Sequence, residues 1–258
     1  MVARDEAPKW TSPSHRPEPP LLYLDNIYTD IGRYKILRGV NLSIPKGSVT
    51  MLLGRNGAGK TTTLRTIMGL WQARDGAIRF NGDEITGMKT PEIARAGIGY
   101  VPEDMGIFGD LTVEQNMILA ARKGRIPKDH LDWLFGRFPP LLTFWNQAAG
   151  TLSGGQKQML SIARAMAEPR ELYLIDEPTK GLAPAIVGTL VDALRQLKQG
   201  GATILMVEQN FSVAKALGDH CAVMDDGRIA WSGAMDDLAR DTGLQSQLMG
   251  LSLEGGAL

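Results

Sequence analysis

Glycine, lysine and hydroxyl side chains crowd one short run, Gly54-Arg55-Asn56-Gly57-Ala58-Gly59-Lys60-Thr61. It fits G-x-x-x-x-G-K-[ST], follows the apolar stretch Val49 to Leu53 and precedes a segment of helical periodicity. Glycines let a backbone curl so that successive N–H groups point at phosphate oxygens. The helix that follows adds its dipole and its unpaired N–H groups. Lys60 brings a mobile point charge for β- and γ-phosphates. The Thr61 hydroxyl can ligate Mg²⁺, and Thr62 can reach a neighbouring phosphate. A tight turn alone would account for the glycines; the full pattern between a strand and a helix goes beyond it.

A second chemical element stands at Asp176-Glu177, after the apolar run Leu172 to Ile175. A strand there delivers both carboxylates to its carboxyl end, where α/β sheets bind ligands. Asp176 is suited to holding Mg²⁺ through water, and Glu177 to polarising an attacking water. Read alone, Asp-Glu would be a solvated strand end; the phosphate-type loop gives the pair its meaning.

The elements that must position these groups follow from periodicity. Val40, Leu42 and Ile44 alternate with polar residues as in a half-buried strand, and Pro45-Lys46-Gly47 turns the chain into the run at Val49. Leu64, Ile67, Met68 and Trp71 fall on one helical face. Ile78–Phe80 with Asn81-Gly82 reads as strand and turn. Met159, Ile162, Ala163 and Met166 share a further helical face, as do Val187, Leu190, Val191 and Leu194. Thr203–Val207 is a strand, and Ala222–Met224, Asp226-Gly227 and Arg228–Ala230 form a hairpin. Strands alternating with helices imply a mainly parallel, three-layer α/β core. Residues 1–20 carry five prolines among polar residues and read as a flexible tail.

Composition bounds the role. There are 28 basic and 28 acidic residues, so the broad positive field needed for nonspecific nucleic-acid binding is missing. The single Cys221 rules out an internal disulfide and fits a reducing compartment. No apolar run reaches the ~20 residues of a membrane span, and no secretion signal opens the chain. These features place the chain in the cytosol, free or docked on a membrane protein.

Leu152-Ser153-Gly154-Gly155-Gln156 resembles the signature of ATP-binding cassette (ABC) ATPases, and its order between the phosphate loop and Asp176-Glu177 matches that family over roughly Leu21 to Leu251. By itself Ser-Gly-Gly before a helix is an N-cap with flexible glycines. The resemblance implies an α/β, ABC-type core with a parallel sheet, an antiparallel β-subdomain and a helical subdomain inserted at about 104–160, with short tails at 1–20 and 252–258. It further implies a head-to-tail dimer with ATP and Mg²⁺ sandwiched between one subunit's loop and the other's Ser153, Gly154, Gly155 and Gln156. Gly54-Arg55-Asn56-Gly57, Val101-Pro102-Glu103, Gly181-Leu182-Ala183-Pro184 and Val207-Glu208-Gln209-Asn210 resemble the ATPase subunits of branched-chain amino acid importers. Urea and short-amide importers share most of these features, and a soluble, non-transport ABC ATPase is the alternative of another class. The implied partners are a second ATPase subunit, two membrane permease subunits and an external solute-binding protein, at the cytoplasmic face of the inner membrane, with no nucleic acid.

Four positions depart from the wider family pattern. Glu103 stands where a glutamine usually links metal and helical lobe; a carboxylate can still ligate Mg²⁺ through water. Gln209 replaces a histidine at the γ-phosphate; it can donate a hydrogen bond but cannot become cationic. Ala183 replaces an aspartate, and Ile31 an aromatic that stacks on adenine, with Tyr28 and Tyr34 as nearby substitutes. These departures point to a paralogous ATPase as the second subunit. Glu177, Gln209 and Lys60 are the expected catalytic groups, and Thr61, Glu103 and Asp176 the expected metal ligands.

Overall fold

The computed structural model describes residues 19–249. The expected tails lie outside the described residues, apart from residues 19 and 20. In chain order the elements are β1 (Leu22–Ile31), β2 (Tyr34–Ile44), β3 (Val49–Gly54), α1 (Lys60–Ile67), β4 (Asp75–Phe80), β5 (Asp83–Glu84), α2 (Thr90–Ala96) and β6 (Ile98–Val101). Then come α3 (Val113–Ala120), α4 (Lys128–Arg137), α5 (Pro139–Thr143), α6 (Gly154–Ala165), β7 (Leu172–Asp176), α7 (Pro184–Gln199) and β8 (Thr203–Val207). The last are α8 (Phe211–Leu217), β9 (His220–Asp225), β10 (Arg228–Ala234), α9 (Met235–Arg240) and α10 (Thr242–Met249).

The central sheet has the order β10-β9-β3-β8-β7-β6, parallel from β9 through to β6, with β10 returning antiparallel on β9. Successive strand residues face opposite sides. Met51, Ile175 and Met206 accordingly enter one buried cluster while Leu52, Leu174 and Leu205 enter the other. A sheet buried on both faces needs apolar residues on both, so β3, β7 and β8 read as near-continuous apolar runs. A second sheet, β2-β1-β4-β5, is antiparallel throughout. Its inward residues Leu22, Leu24, Ile27 and Leu42 close the second cluster from outside. Between β6 and β7 the chain passes through α3 to α6, whose Val113, Met117, Leu134 and Phe138 pack into the first cluster.

One expectation fails in detail. The helical face predicted through Trp71 stops at Ile67, with Met68 as C-cap. Gly69 takes a φ of +68°, and a Cβ there would lie 2.6 Å from the Met88 carbonyl oxygen. The chain must turn at that glycine to pass under Met88, so Trp71 belongs to the following bend.

The strand order decides where chemistry can gather. β3, β8, β7 and β6 are neighbours, so the residues that follow their carboxyl ends lie side by side. Those residues are the loop 54–61, then Glu208 and Gln209, then Glu177, then Glu103.

Candidate functional site

Gly54 closes β3 against β9 with no room for a side chain. A Cβ there would sit 2.2 Å from the Met224 carbonyl oxygen, and its φ is +137°. At the far end of the loop Gly59 is the N-cap of α1, in a left-handed conformation, with neither a capping side chain nor an acidic residue in the first turn. The first N–H groups of α1 are therefore left for an external anion. Ala58 is buried, and its backbone N–H donates to the Arg55 carbonyl, so it contributes main chain to the loop.

The Lys60 ammonium is turned onto this loop, donating to the carbonyl oxygens of Gly54 (2.8 Å) and Arg55 (3.0 Å). Burial pulls its pKa below the ordinary lysine value, against the opposing pull of Glu177 and Asp176. With Asn56, Gly57, Gly59, Thr61, Thr62, Glu103, Glu177 and Lys180 it lines a cleft of about 310 Å³. Gly54, Arg55, Asn56 and Gln209 line a smaller neighbouring hollow. Larger clefts beside α4, about 620 and 700 Å³, carry no such convergence of loop amides, lysine and carboxylates.

Thr61 Oγ1 donates to Asp176 Oδ1 at 3.1 Å, joining the start of α1 to the end of β7 across 115 residues of sequence. Asp176 is fully buried, and its Oδ2 has no hydrogen-bond partner. Burial pushes its pKa up to about 6; Glu103 and Glu177 add to the rise and the Thr61 hydroxyl opposes it. A buried, half-satisfied carboxylate beside a hydroxyl is short of positive charge, and this donor set suits Mg²⁺, which binds through one or two carboxylates together with substrate phosphates. Among the described residues no group of three or more His, Cys, Asp or Glu forms an all-protein metal cage.

Glu177 leaves β7 in a left-handed conformation, φ +47°, sparsely populated for a non-glycine residue. Its N–H still reaches the Val207 carbonyl, 2.9 Å. Gln209 Nε2 donates to Glu177 Oε1 at 2.6 Å. In this structure the residue expected at a γ-phosphate thus holds the candidate water-polarising carboxylate. Two further residues were not singled out by spacing. Buried Glu208 accepts from the Thr179 hydroxyl (2.6 Å) and N–H (3.2 Å) and from the N–H groups of Gln209 and Asn210 (both 3.0 Å). Lys180 Nζ donates to Glu103 Oε1 at 2.6 Å and lies 3.4 Å from Glu177 Oε2. The Glu103 hydrogen bond is the main reason the Lys180 pKa is raised. The lysine three residues after Glu177 was the available signal.

Ser153 is the N-cap of α6 in a complete capping box. Its Oγ accepts from the Gln156 N–H (3.4 Å), and Gln156 Oε1 accepts from the Ser153 N–H (2.8 Å). The plain N-cap reading is thus realised, and because Oγ accepts, its proton is left to donate elsewhere. Gly155 is buried against α7, where a Cβ would lie 2.3 Å from Ile186 Cγ2. Gly154 has open space, with only Leu182 near, at 3.9 Å. Of the adenine candidates, Tyr34 is 61% exposed and Tyr28 lies beneath the Arg74 guanidinium, 5.3 Å away.

The parallel sheet, the phosphate-type loop and the carboxylates at the strand ends define a nucleotide-binding P-loop ATPase. The family model described as ABC transporter matches residues 37–180, more than half of the chain. A branched-chain amino acid transport ATP-binding protein, BraG of Pseudomonas aeruginosa, is 39% identical over 81% of this chain and 91% of its own length. A probable branched-chain amino acid transport ATP-binding protein, LivF of Archaeoglobus fulgidus, is 36% identical over 84% and 93%. The methionine import ATP-binding protein MetN of Rhodopseudomonas palustris is 36% identical over 78% of this chain and 56% of its own length. A solved ATP-binding subunit of an ABC transporter superposes with a TM-score of 0.75 at 31% identity, covering 91% of this chain and 96% of that one. The chain belongs to the ABC transporter family, and it is an ATPase.

Proposed function

We propose that the chain is the ATP-hydrolysing subunit of an importer for branched-chain or related amino acids. What supports the hydrolytic part is that Lys60, Thr61 and Glu177 line one cleft at the carboxyl edge of the parallel sheet, with Asp176 bonded to Thr61 and Gln209 to Glu177. The triphosphate is taken by the loop amides of residues 54–61 and by the first turn of α1. Lys60 exchanges its two carbonyl partners for phosphate oxygens. Thr61 and Asp176, with Glu103, would hold Mg²⁺, which when bound neutralises phosphate charge. Glu177 polarises the attacking water and Gln209 fixes its carboxylate. Water attacks the γ-phosphorus in line, and ADP and phosphate leave; catalysis is positioning and charge stabilisation.

The second subunit, a paralogue, presents Ser153, Gly154, Gly155 and Gln156 to the same nucleotide, and the helical lobe at about 104–160 passes the closure to two permease subunits. A peripheral position on the cytoplasmic face of the inner membrane agrees with the finding that no described helix is long and apolar enough to cross a membrane. The cargo rests on the BraG and LivF likenesses; the MetN likeness supports a second reading, methionine import. Reconstitution with the permease and solute-binding subunits tests both. ATPase stimulated by leucine, isoleucine or valine supports the first; stimulation by methionine or urea alone would replace it.

A further inference from the structure

Two carboxylates, Glu103 and Glu177, line the phosphate cleft, with buried Asp176 behind Thr61, yet the ammonium of Lys60 is engaged by the Gly54 and Arg55 carbonyls. The cation that faces Glu103 and Glu177 is Lys180, which lines the same cleft. Glu103 stands just after β6, on the segment leading into α3, whereas Lys180 and Glu177 stand in the loop after β7. The lysine therefore joins two segments separated by 77 residues. Glu177 is held on both sides: Oε1 takes the Gln209 amide proton, and Oε2, with no hydrogen-bond partner, faces the Lys180 ammonium.

We propose that Lys180 is a positioning residue for ATP hydrolysis, its ammonium keeping the Glu177 carboxylate aimed and tying it to Glu103 at the entry to the helical lobe. The pair is not there for stability. Lys180 is 59% exposed and Glu103 37%, and ion pairs this open contribute little. Its role is local. Without the ammonium, Glu103 and Glu177 face each other as like charges, and Glu177 keeps only its Gln209 anchor. The proposal rests on the ATPase activity of the chain and not on the identity of the cargo.

The test uses the full-length chain with K180A, K180R, E103Q and the K180A/E103Q double variant. Steady-state Mg·ATP kinetics are read beside hydrogen exchange of amides 103–106 in nucleotide-free protein. We expect K180A to lower kcat about tenfold with KM within about twofold, and K180R to stay within about threefold of wild type. In the E103Q background, where the like charge is gone, K180A should cost less than about threefold, a direct measure of coupling. Exchange at 103–106 should quicken in K180A without a change in melting temperature. The proposal is overturned by a K180A kcat within about twofold of wild type, by an undiminished loss in the E103Q background, or by a rise in KM alone. Were the wild-type chain alone, or E103Q with its expected Mg²⁺ ligand removed, to show no turnover, the exchange arm would still decide: unchanged exchange in K180A sinks the proposal.

Discussion

Replacing Asp176 by asparagine removes a buried negative charge while leaving Oδ1 to accept from Thr61. The Asp176 carboxyl sits at about 6 in the folded chain against an ordinary value of 3.8. An acid whose pKa is raised by folding binds, between those two values, a proton that the unfolded chain has lost. Its ionisation therefore weakens the fold as pH climbs through that window. A rise of about two units at about 1.4 kcal/mol each gives a penalty of up to about 3 kcal/mol at pH 7. Relaxation of the protein around the buried charge lowers such penalties, so a figure on the order of 1.5 kcal/mol is the working value. The nucleotide-free Asp176→Asn chain should thus melt about 3–6 °C above wild type at pH 7, and the gap should close as pH falls toward 4. Hydrolysis should be lost in the same variant, because the residue expected to hold Mg²⁺ has lost its charge. Differential scanning calorimetry of both chains from pH 4 to pH 7 is the assay. An asparagine variant that melts at or below wild type at pH 7, or a gap that does not change with pH, would refute the reasoning.

Gly155→Ala places a Cβ against Ile186 at 2.3 Å; it should cost about 1–3 kcal/mol in urea unfolding, and Ile186→Ala in the same chain should recover part of the loss. Glu208→Gln puts an amide group against N–H donors and should destabilise by about 2–3 kcal/mol by the same measurement, since the buried carboxylate accepts four bonds. Lys60→Ala should abolish measurable Mg·ATP binding in calorimetric titration while leaving the fold intact. Glu177→Gln should retain ATP binding but lower turnover at least about 100-fold in a phosphate-release assay.

Much of this was legible because the informative patterns are local. The loop 54–61 carries its chemistry in eight consecutive residues, and Asp226-Gly227 specifies its hairpin by turn type alone. The two-sided burial of the central sheet shows in the near-continuous apolar runs of β3, β7 and β8. What stayed hidden depends on distant partners. Trp71 fits a helical spacing, yet Met88, from another segment, forces the turn before it. Lys180 and Glu208 look like ordinary polar residues until Glu103 and Thr179 arrive beside them. Gly155 reads as freedom of the backbone, whereas much of its reason is the proximity of Ile186. Gln209 is short of charge for a phosphate contact, and only the fold reveals that its amide meets Glu177.

The order of strands in the central sheet carries a consequence for biosynthesis. β3 leaves the ribosome at Gly54 but pairs only with β8 and β9, and β8 begins at Thr203. At about 5–20 residues per second, roughly 150 residues of translation keep that sticky ribbon without neighbours for about 8–30 s. Until β8 slides between β3 and β7, the nascent polypeptide has neither a closed sheet nor a place for a nucleotide. Chains truncated before residue 203 leave β3 without its β8 and β9 partners and are expected to aggregate.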